Sequence, residues 1–210
     1  MTPSLPEITI TDVVLDLGGV VVELTGGPQL IGWSQGVLTA ENLLELWLLS
    51  PSVRRFEVGA LTNEQFGRAV IEEFRLQVGL DEFLTNFALM PRRLFPRTVA
   101  LLEALGDHAR VSCLTNTNAL HWPRLMETLG LRDYFQHLFA SHLTGLLKPD
   151  PEAFQNVIDC LGVRPDQMVF IDDSLLNVAA ATRLGVRAFE AHGADQAWTI
   201  LQELSVIVQV

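Results

Sequence analysis

The sequence is poor in lysine, and no apolar run in it is long enough to cross a membrane. Lys148 is the single lysine among fourteen basic residues, which face twenty-five acidic residues and give a net charge of -11. This acidity opposes binding to nucleic acid over a broad surface. Charged residues interrupt every apolar stretch before the roughly 20 residues that a membrane-spanning helix requires, so we expect no membrane partner.

Cysteine is also scarce, and no targeting signal is evident. Cys113 and Cys160 lie in apolar surroundings without a C-x-x-C spacing, which predicts two buried thiols and no disulfide. The first seven residues lack the basic and apolar regions of a secretion signal. These features predict a cytoplasmic protein, and the sequence carries no signal of oligomeric state.

Three short apolar runs each end in polar residues. The runs at 13–15, 111–114 and 168–171 lead into Asp16, Thr115 and the pair Asp172 and Asp173. Helical patterns separate or follow them at 97–105, 119–129, 151–161, 175–184 and 194–204, and further short strands are expected at 139–142 and 186–190. This alternation predicts an α/β fold with a doubly wound, Rossmann-like parallel sheet. Ligands bind beyond the carboxyl ends of such strands, so we expect these four polar residues to be neighbours.

The interval after the first strand interrupts this alternation. It offers helical patterns at 41–49, 64–78 and 81–89 without a convincing strand, and Thr62 with Gln65 matches a capping box. We therefore predict an α/β core domain of residues 1–23 and 92–210, with an all-helical cap domain at 24–91 inserted into it.

The polar clusters also carry a family resemblance that extends over most of the chain. In order along the sequence they are Asp16-Leu17-Gly18-Gly19-Val20, Leu114-Thr115-Asn116, Lys148-Pro149 and Asp172-Asp173-Ser174. This series resembles the four motifs of the haloacid dehalogenase-like hydrolases. Within that superfamily it is most similar to the sugar-phosphate phosphatases, such as the alpha-D-glucose-1-phosphate phosphatases.

The resemblance implies a phosphohydrolase that acts on a small phosphorylated substrate, with a sugar phosphate as the first expectation. Asp16 would be the nucleophile that forms an aspartyl-phosphate. Thr115 and Asn116 would donate hydrogen bonds to the phosphate, and Lys148 would place its charge beside the carboxylates and the phosphate. Asp16, Thr115 and Lys148 are thus the expected catalytic residues.

The resemblance also implies a Mg²⁺ cofactor. Its expected ligands are Asp16, the backbone carbonyl of Gly18 and the pair Asp172 and Asp173, with Asp173 favoured as the direct ligand. Asn177 is a candidate to contact these ligands without binding the metal itself.

The sequence departs from many phosphatases of this family at Gly18, where they carry a second aspartate that acts as general acid and base. One explanation is a substitute proton donor, for which Glu23 is a candidate. A second is a metal-independent 2-haloacid dehalogenase, because a halide leaves without a proton. A third is a non-catalytic protein that binds a phosphorylated ligand or another protein.

Overall fold

A five-stranded parallel sheet forms the centre of the protein in the computed structural model, which describes residues 9–207. The segment 1–7, which argued against a secretion signal, lies outside the described residues. The seven strands are β1 (Asp12–Leu15), β2 (Val22–Leu24), β3 (Pro91–Leu94), β4 (Arg110–Thr115), β5 (His137–Ala140), β6 (Met168–Asp172) and β7 (Arg187–Glu190). The central sheet has the order β5-β4-β1-β6-β7, with every pair parallel.

Ten α-helices accompany the strands in the described part of the chain. They are α1 (Gly27–Trp33), α2 (Leu43–Leu49), α3 (Pro51–Glu57), α4 (Asn63–Glu73), α5 (Leu80–Ala88), α6 (Thr98–Gly106), α7 (Ser141–Thr144), α8 (Pro151–Leu161), α9 (Leu175–Arg183) and α10 (Ala194–Glu203). Over residues 9–207, none of these helices combines the length and the apolar character that a bilayer crossing demands.

The core helices cover both faces of the sheet. Val13 and Leu15 of β1 belong to an apolar cluster with α6 and α10, whereas Val14 belongs to a second cluster with α8 and α9. Successive side chains of a strand point to opposite faces, so this division shows that each face has its own layer of helices. The prediction of a doubly wound, Rossmann-like parallel sheet is confirmed.

The helices α1 to α5 have an apolar cluster of their own. Its centre contains stacked phenylalanines, with the rings of Phe56 and Phe66 4.0 Å apart. Strands β2 and β3 pair antiparallel where this helical segment leaves and rejoins the core. The sequence patterns missed this two-stranded ribbon, and they also missed α1 and α3. The domain boundaries at residues 24 and 91 stay a prediction.

Three predicted elements are wrong in extent. The helix expected at 119–129 is a short π-helical segment, Arg124–Thr128, preceded by a turn. The strand expected at 139–142 is β5, His137–Ala140, and α7 begins directly after it. The helix expected at 64–78 ends at Glu73, because Arg75 adopts a left-handed backbone with φ 53° that cannot continue an α-helix.

The prediction of two buried thiols is half correct. Cys113 is buried in β4, but Cys160 is exposed. Helix α8 buries one stripe of side chains at Ala153, Phe154, Val157, Ile158 and Leu161. Position 160 lies at the edge of this stripe, where its apolar sequence neighbours do not cover it.

Candidate active site

The polar residues predicted to be neighbours do converge at one edge of the sheet. Thr115 is the last residue of β4, Asp16 follows β1 directly, and Asp172 ends β6. Strands β4, β1 and β6 are adjacent and parallel, so their carboxyl ends lie side by side. The Asp16 amide N–H donates to the carbonyl of Ile171 at 2.9 Å, which fixes Asp16 beside the end of β6.

Lys148 joins two of these carboxylates. Its Nζ lies 2.9 Å from Asp16 Oδ1 and 2.6 Å from Asp172 Oδ2, and its side chain is only 1% exposed. A buried charge is costly unless it is paired, and here each charge has a partner. Burial lowers the pKa of Lys148, but the two carboxylates outweigh that effect and hold the pKa above its ordinary value.

The side chain of Asn116 holds the Lys148 backbone. Asn116 Nδ2 donates to the Lys148 carbonyl at 2.8 Å, and the Lys148 N–H donates to Asn116 Oδ1 at 2.9 Å. Both ends of this amide are therefore engaged in positioning the loop before α8. The hydrogen bond that Asn116 is expected to donate to the phosphate therefore falls to its backbone N–H.

The two aspartates after β6 have different surroundings. Asp172 Oδ1 accepts from the Ser174 N–H and from Asn177 Nδ2, both at 2.9 Å, while Asp172 Oδ2 faces Lys148. Within residues 9–207 no other side chain donates to the Asp173 carboxylate, which is half-buried. Asp173 is therefore the carboxylate of this pair that is free to bind a ligand.

Gly19 allows Asp173 to reach the site. It has φ 73°, and a Cβ on its backbone would lie 2.0 Å from Asp173 Oδ2. In the same turn, Val22 N–H donates to the Leu17 carbonyl and Gly19 N–H to the Val22 carbonyl. These bonds do not use the Gly18 carbonyl, which was predicted to bind the metal.

The carboxylates of Asp16, Asp172 and Asp173 form a cluster that fits a hard divalent cation. Each offers an oxygen within 4.8 Å of the others. Burial raises the pKa of Asp16 to about 7; the Lys148 ammonium opposes this rise, and the two neighbouring carboxylates add to it. Burial and the charge of Asp172 also raise the pKa of Asp173. One ammonium cannot offset three gathered carboxylates, whereas a divalent ion with oxygen ligands can.

A cavity of about 320 Å³ lies beside this cluster, between the helical segment and the core. Asn116 lines it on the core side, and Trp47 and Glu57 line it on the helical side. Burial raises the pKa of the Glu57 carboxyl to about 7, and the charges of Arg54, Lys148 and Asp16 also act on it. Sequence reasoning missed Glu57, because it ends the short helix α3, which no periodic pattern predicted.

Glu23, the proposed substitute proton donor, is held by arginines. Its Oε2 accepts from Arg93 Nε at 2.6 Å, and its Oε1 lies 3.7 Å from Arg92 Nη1. Both arginines belong to β3, the strand that pairs with β2. Both carboxylate oxygens of Glu23 are therefore engaged with arginines of β3.

Comparison with known proteins identifies relatives over nearly the whole chain. The chain is 27% identical over 207 residues to a D-ribitol-5-phosphate phosphatase of Bacteroides thetaiotaomicron, covering 95% of this chain and 98% of the relative. It is 30% identical over 189 residues to the sesquiterpene phosphatase astK of Aspergillus oryzae, covering 85% and 88%.

Solved structures agree with these relatives. A haloacid dehalogenase-family enzyme of B. thetaiotaomicron in complex with magnesium and inorganic phosphate superimposes with a TM-score of 0.74 at 26% identity, covering 91% of this chain and 98% of that one. An L-2-haloacid dehalogenase of Xanthobacter autotrophicus shares the fold, with a TM-score of 0.62 at 17% identity over 87% and 78% of the two chains. The sequence model of the haloacid dehalogenase-like hydrolases matches residues 13–185. With that match over most of its length, the chain belongs to the haloacid dehalogenase-like hydrolases.

Proposed function

We propose that this hydrolase is a Mg²⁺-dependent phosphatase that cleaves a small phosphomonoester through an aspartyl-phosphate on Asp16. The observation that carries the proposal is the cluster of Asp16, Asp172 and Asp173 at adjacent strand ends, with one buried lysine paired to the first two. Two phosphatases among its relatives and a structural relative that holds magnesium and phosphate support it.

Each residue of the site has a part in this proposal. Mg²⁺ would be held by Asp16, Asp173 and the Gly18 carbonyl, with Asp172 beside these ligands. The charge of the ion would offset the charges of the carboxylates and of the phosphate. Lys148 holds Asp16 in place and adds a second positive charge. The Thr115 hydroxyl and the Asn116 N–H donate to phosphoryl oxygens.

The reaction has two displacements at phosphorus. A carboxylate oxygen of Asp16 attacks, the bond from phosphorus to the ester oxygen breaks, and the electron pair of that bond stays on the departing alcohol oxygen. Water then attacks the aspartyl-phosphate, and the bond to Asp16 breaks with its electron pair returning to the carboxylate. Over the two displacements the departing alcohol oxygen gains one proton and the attacking water loses one. The products are the alcohol and inorganic phosphate, and one difficult displacement has become two easier ones.

The dehalogenase alternative uses the same nucleophile without a metal, and it is compatible with glycine at position 18. Such an enzyme gains nothing from the further carboxylates of Asp172 and Asp173, whose charges disfavour the ionised form of Asp16 that must attack. A non-catalytic role would leave no use for the buried pair of Lys148 and Asp16. The arrangement therefore favours the phosphatase over both alternatives.

Removal of metal tests the proposal. Treatment with a chelator should lower phosphate release by at least about 10²-fold, because several kcal/mol of charge stabilisation are lost, and added Mg²⁺ should restore it. Phosphate is assayed with acetyl phosphate and a panel of phosphomonoesters, and chloride is assayed with 2-chloropropionate. Chloride release by the chelated protein, or phosphate release that the chelator leaves unchanged, would contradict the proposal.

A glycine substitution tests the metal ligands in the same assay. Gly19→Ala should raise the Mg²⁺ concentration for half-maximal activity by about 10-fold to 100-fold, because a Cβ displaces Asp173 from the cluster. Gly36→Ala is the matched control, since Gly36 also has a positive φ, 88°, but no atom lies within 4 Å of an added Cβ. Calorimetric Mg²⁺ titration should show the same difference, and equal Mg²⁺ affinity in the two variants would remove Asp173 from the metal site.

A further inference from the structure

The cavity beside the carboxylate cluster is lined mainly by apolar side chains. Leu24, Leu30, Leu43, Leu44, Trp47 and Met90 contribute to its wall. Two of them are exposed, Leu24 at 55% and Leu44 at 70%. Exposed apolar groups around a concave site indicate a ligand that covers them.

Apart from Glu57, the polar side chains of the wall are already engaged with the protein. Asn118 Oδ1 accepts from the N–H groups of Leu120 and His121, at 3.1 and 3.0 Å. His121 Nε2 lies 2.8 Å from the Phe87 carbonyl, and His121 Nδ1 lies 3.2 Å from Asn118 Nδ2. Burial lowers the pKa of His121 to about 4, so its ring is neutral and donates to the carbonyl.

These contacts leave little for a polyol to bind. Both ends of the Asn116 amide hold Lys148, and the Thr25 hydroxyl lies 3.4 Å from the Met90 carbonyl. Apart from the Glu57 carboxyl, a sugar hydroxyl that entered the cavity would find no free side-chain partner in the described part of the chain for the hydrogen bonds to water that it loses. Among the described residues, Glu57 is the one acidic residue of the wall, and no lysine or arginine lines the cavity to attract a second anionic group on the substrate.

We propose that the cavity binds the organic part of an aliphatic phosphomonoester, so that the substrate is the phosphate ester of an apolar alcohol. This inference rests on the proposed phosphatase function. A volume of about 320 Å³ lies within the range of small-molecule sites. Burial of an alkyl chain against the exposed leucines is favourable, because both surfaces leave water. The expected sugar phosphate is the alternative outcome.

The test compares decyl phosphate with D-ribitol 5-phosphate. Acetyl phosphate, which has almost no organic part, reports the phosphatase reaction alone. We expect kcat/KM for decyl phosphate to exceed that for the ribitol ester by at least about 10²-fold, the discrimination that an apolar pocket can supply. Binding of decyl phosphate to the inactive Asp16→Asn variant should show a negative heat-capacity change, the mark of apolar burial.

Two leucines of α2 test whether the preference for decyl phosphate comes from the cavity wall. Leu44→Gln should lower the ratio of kcat/KM for decyl phosphate to that for acetyl phosphate by about tenfold. Leu49→Gln should leave this ratio unchanged, because Leu49 is equally exposed, at 67%, but does not line the cavity. A preference for the ribitol ester, or equal effects of the two substitutions, would overturn the inference and leave the phosphatase intact. Absence of phosphate release from all three substrates would overturn both.

A separate observation concerns Glu57 itself. Its half-buried carboxyl lines the same cavity as Asn116 and is close enough to Lys148 and Asp16 for their charges to act on it. Among the described residues nothing donates to it or pairs with it. The charged groups that face it are Arg54 on its own helix, Lys148 before α8 and Asp16 after β1. Burial raises its pKa to about 7, which keeps much of it protonated near neutral pH.

We also infer that Glu57 supplies the proton that Gly18 cannot. In the first displacement, the Glu57 carboxyl proton passes to the departing alcohol oxygen, leaving a carboxylate. In the second, this carboxylate takes a proton from the attacking water, so the group is restored at the end of each cycle. An aliphatic alcohol is a poor leaving group, and it gains most from this transfer.

Leaving-group dependence tests the role of Glu57. Glu57→Gln should lower kcat for decyl phosphate by about 10² to 10⁴-fold, with a much smaller loss for acetyl phosphate, because acetate departs without a proton. In the wild type, kcat/KM for decyl phosphate should fall as pH rises above about 7, where the acid form is lost, and this fall should be absent in the variant. Glu45→Gln, an exposed carboxylate of α2, is the charge-matched control.

The comparison separates a catalytic role from a structural one. A purely structural Glu57 would lower the rates of both substrates equally and keep the alkaline limb of the pH profile, and that result would overturn the inference. Urea denaturation of Glu57→Gln should give a free energy of unfolding no lower than that of the wild type, because an amide is easier to bury than a carboxylate.

Discussion

Asp16→Asn should reduce phosphate release by at least about 10⁴-fold, because an amide oxygen cannot form the covalent intermediate and removal of a nucleophile costs most of the catalysed rate. The free energy of unfolding should stay level or rise. Burial holds the pKa of Asp16 near 7, which shows that the ionised side chain is poorly accommodated there, and Lys148 keeps Asp172 as its partner. Phosphate assays and urea denaturation measure the two effects.

Asp12→Asn is the matched control at the opposite end of the same strand. Asp12 is 1% exposed, and it pairs with the Arg110 side chain. Loss of that charge should destabilise the protein while folded molecules keep their activity, because Asp12 lies at the amino end of β1. Asp16→Asn should therefore lose activity and keep its stability, whereas Asp12→Asn should lose stability and keep its activity. An Asp16→Asn variant that retains more than about a hundredth of the wild-type rate would rule out the covalent mechanism.

The residues that could be predicted from the sequence are those whose placement follows from local pattern and parallel pairing. Asp16, Thr115 and Asp172 each end an apolar run, and parallel strands bring such ends to one edge of the sheet. The capping box of Thr62 and Gln65 is likewise local, and it is present with both of its hydrogen bonds. In these cases a few neighbouring residues decide the geometry.

Contacts between distant segments could not be predicted in this way. Asn116 holds the backbone of Lys148, 32 residues away, through bonds that depend on how two loops meet. Glu57 ends a seven-residue helix, too short for a clear periodic pattern, and its place in the cavity wall depends on the packing of the helical segment. The π-helical segment Arg124–Thr128 shows the same limit, since its sequence has an ordinary helical pattern.

Substitution of the buried Lys148 should have a second large effect, on both stability and activity. Lys148→Met should lower the free energy of unfolding of the metal-free protein by about 3–5 kcal/mol, because it leaves two buried carboxylates without their partner. Phosphate release should also fall by about 10² to 10³-fold, the cost of removing one group that stabilises the transition-state charge. Urea denaturation in the presence of a chelator measures the first effect, and a phosphate assay in Mg²⁺ measures the second.

Arg164→Met provides the contrast for stability. The pair of Arg164 and Asp166 is as close as that of Lys148 and Asp172, at 2.6 Å, but its side chains are 67% and 39% exposed. Its loss should leave the free energy of unfolding close to that of the wild type, because water already screens both charges. Added Mg²⁺ should restore part of the stability of Lys148→Met, since an ion that binds only the folded carboxylate cluster favours folding. The contradicting result would be an equal free energy of unfolding for Lys148→Met and Arg164→Met in the absence of metal. The two buried carboxylates would then not be stabilised by the Lys148 ammonium, and the cluster would not need the positive charge that the proposed mechanism places there.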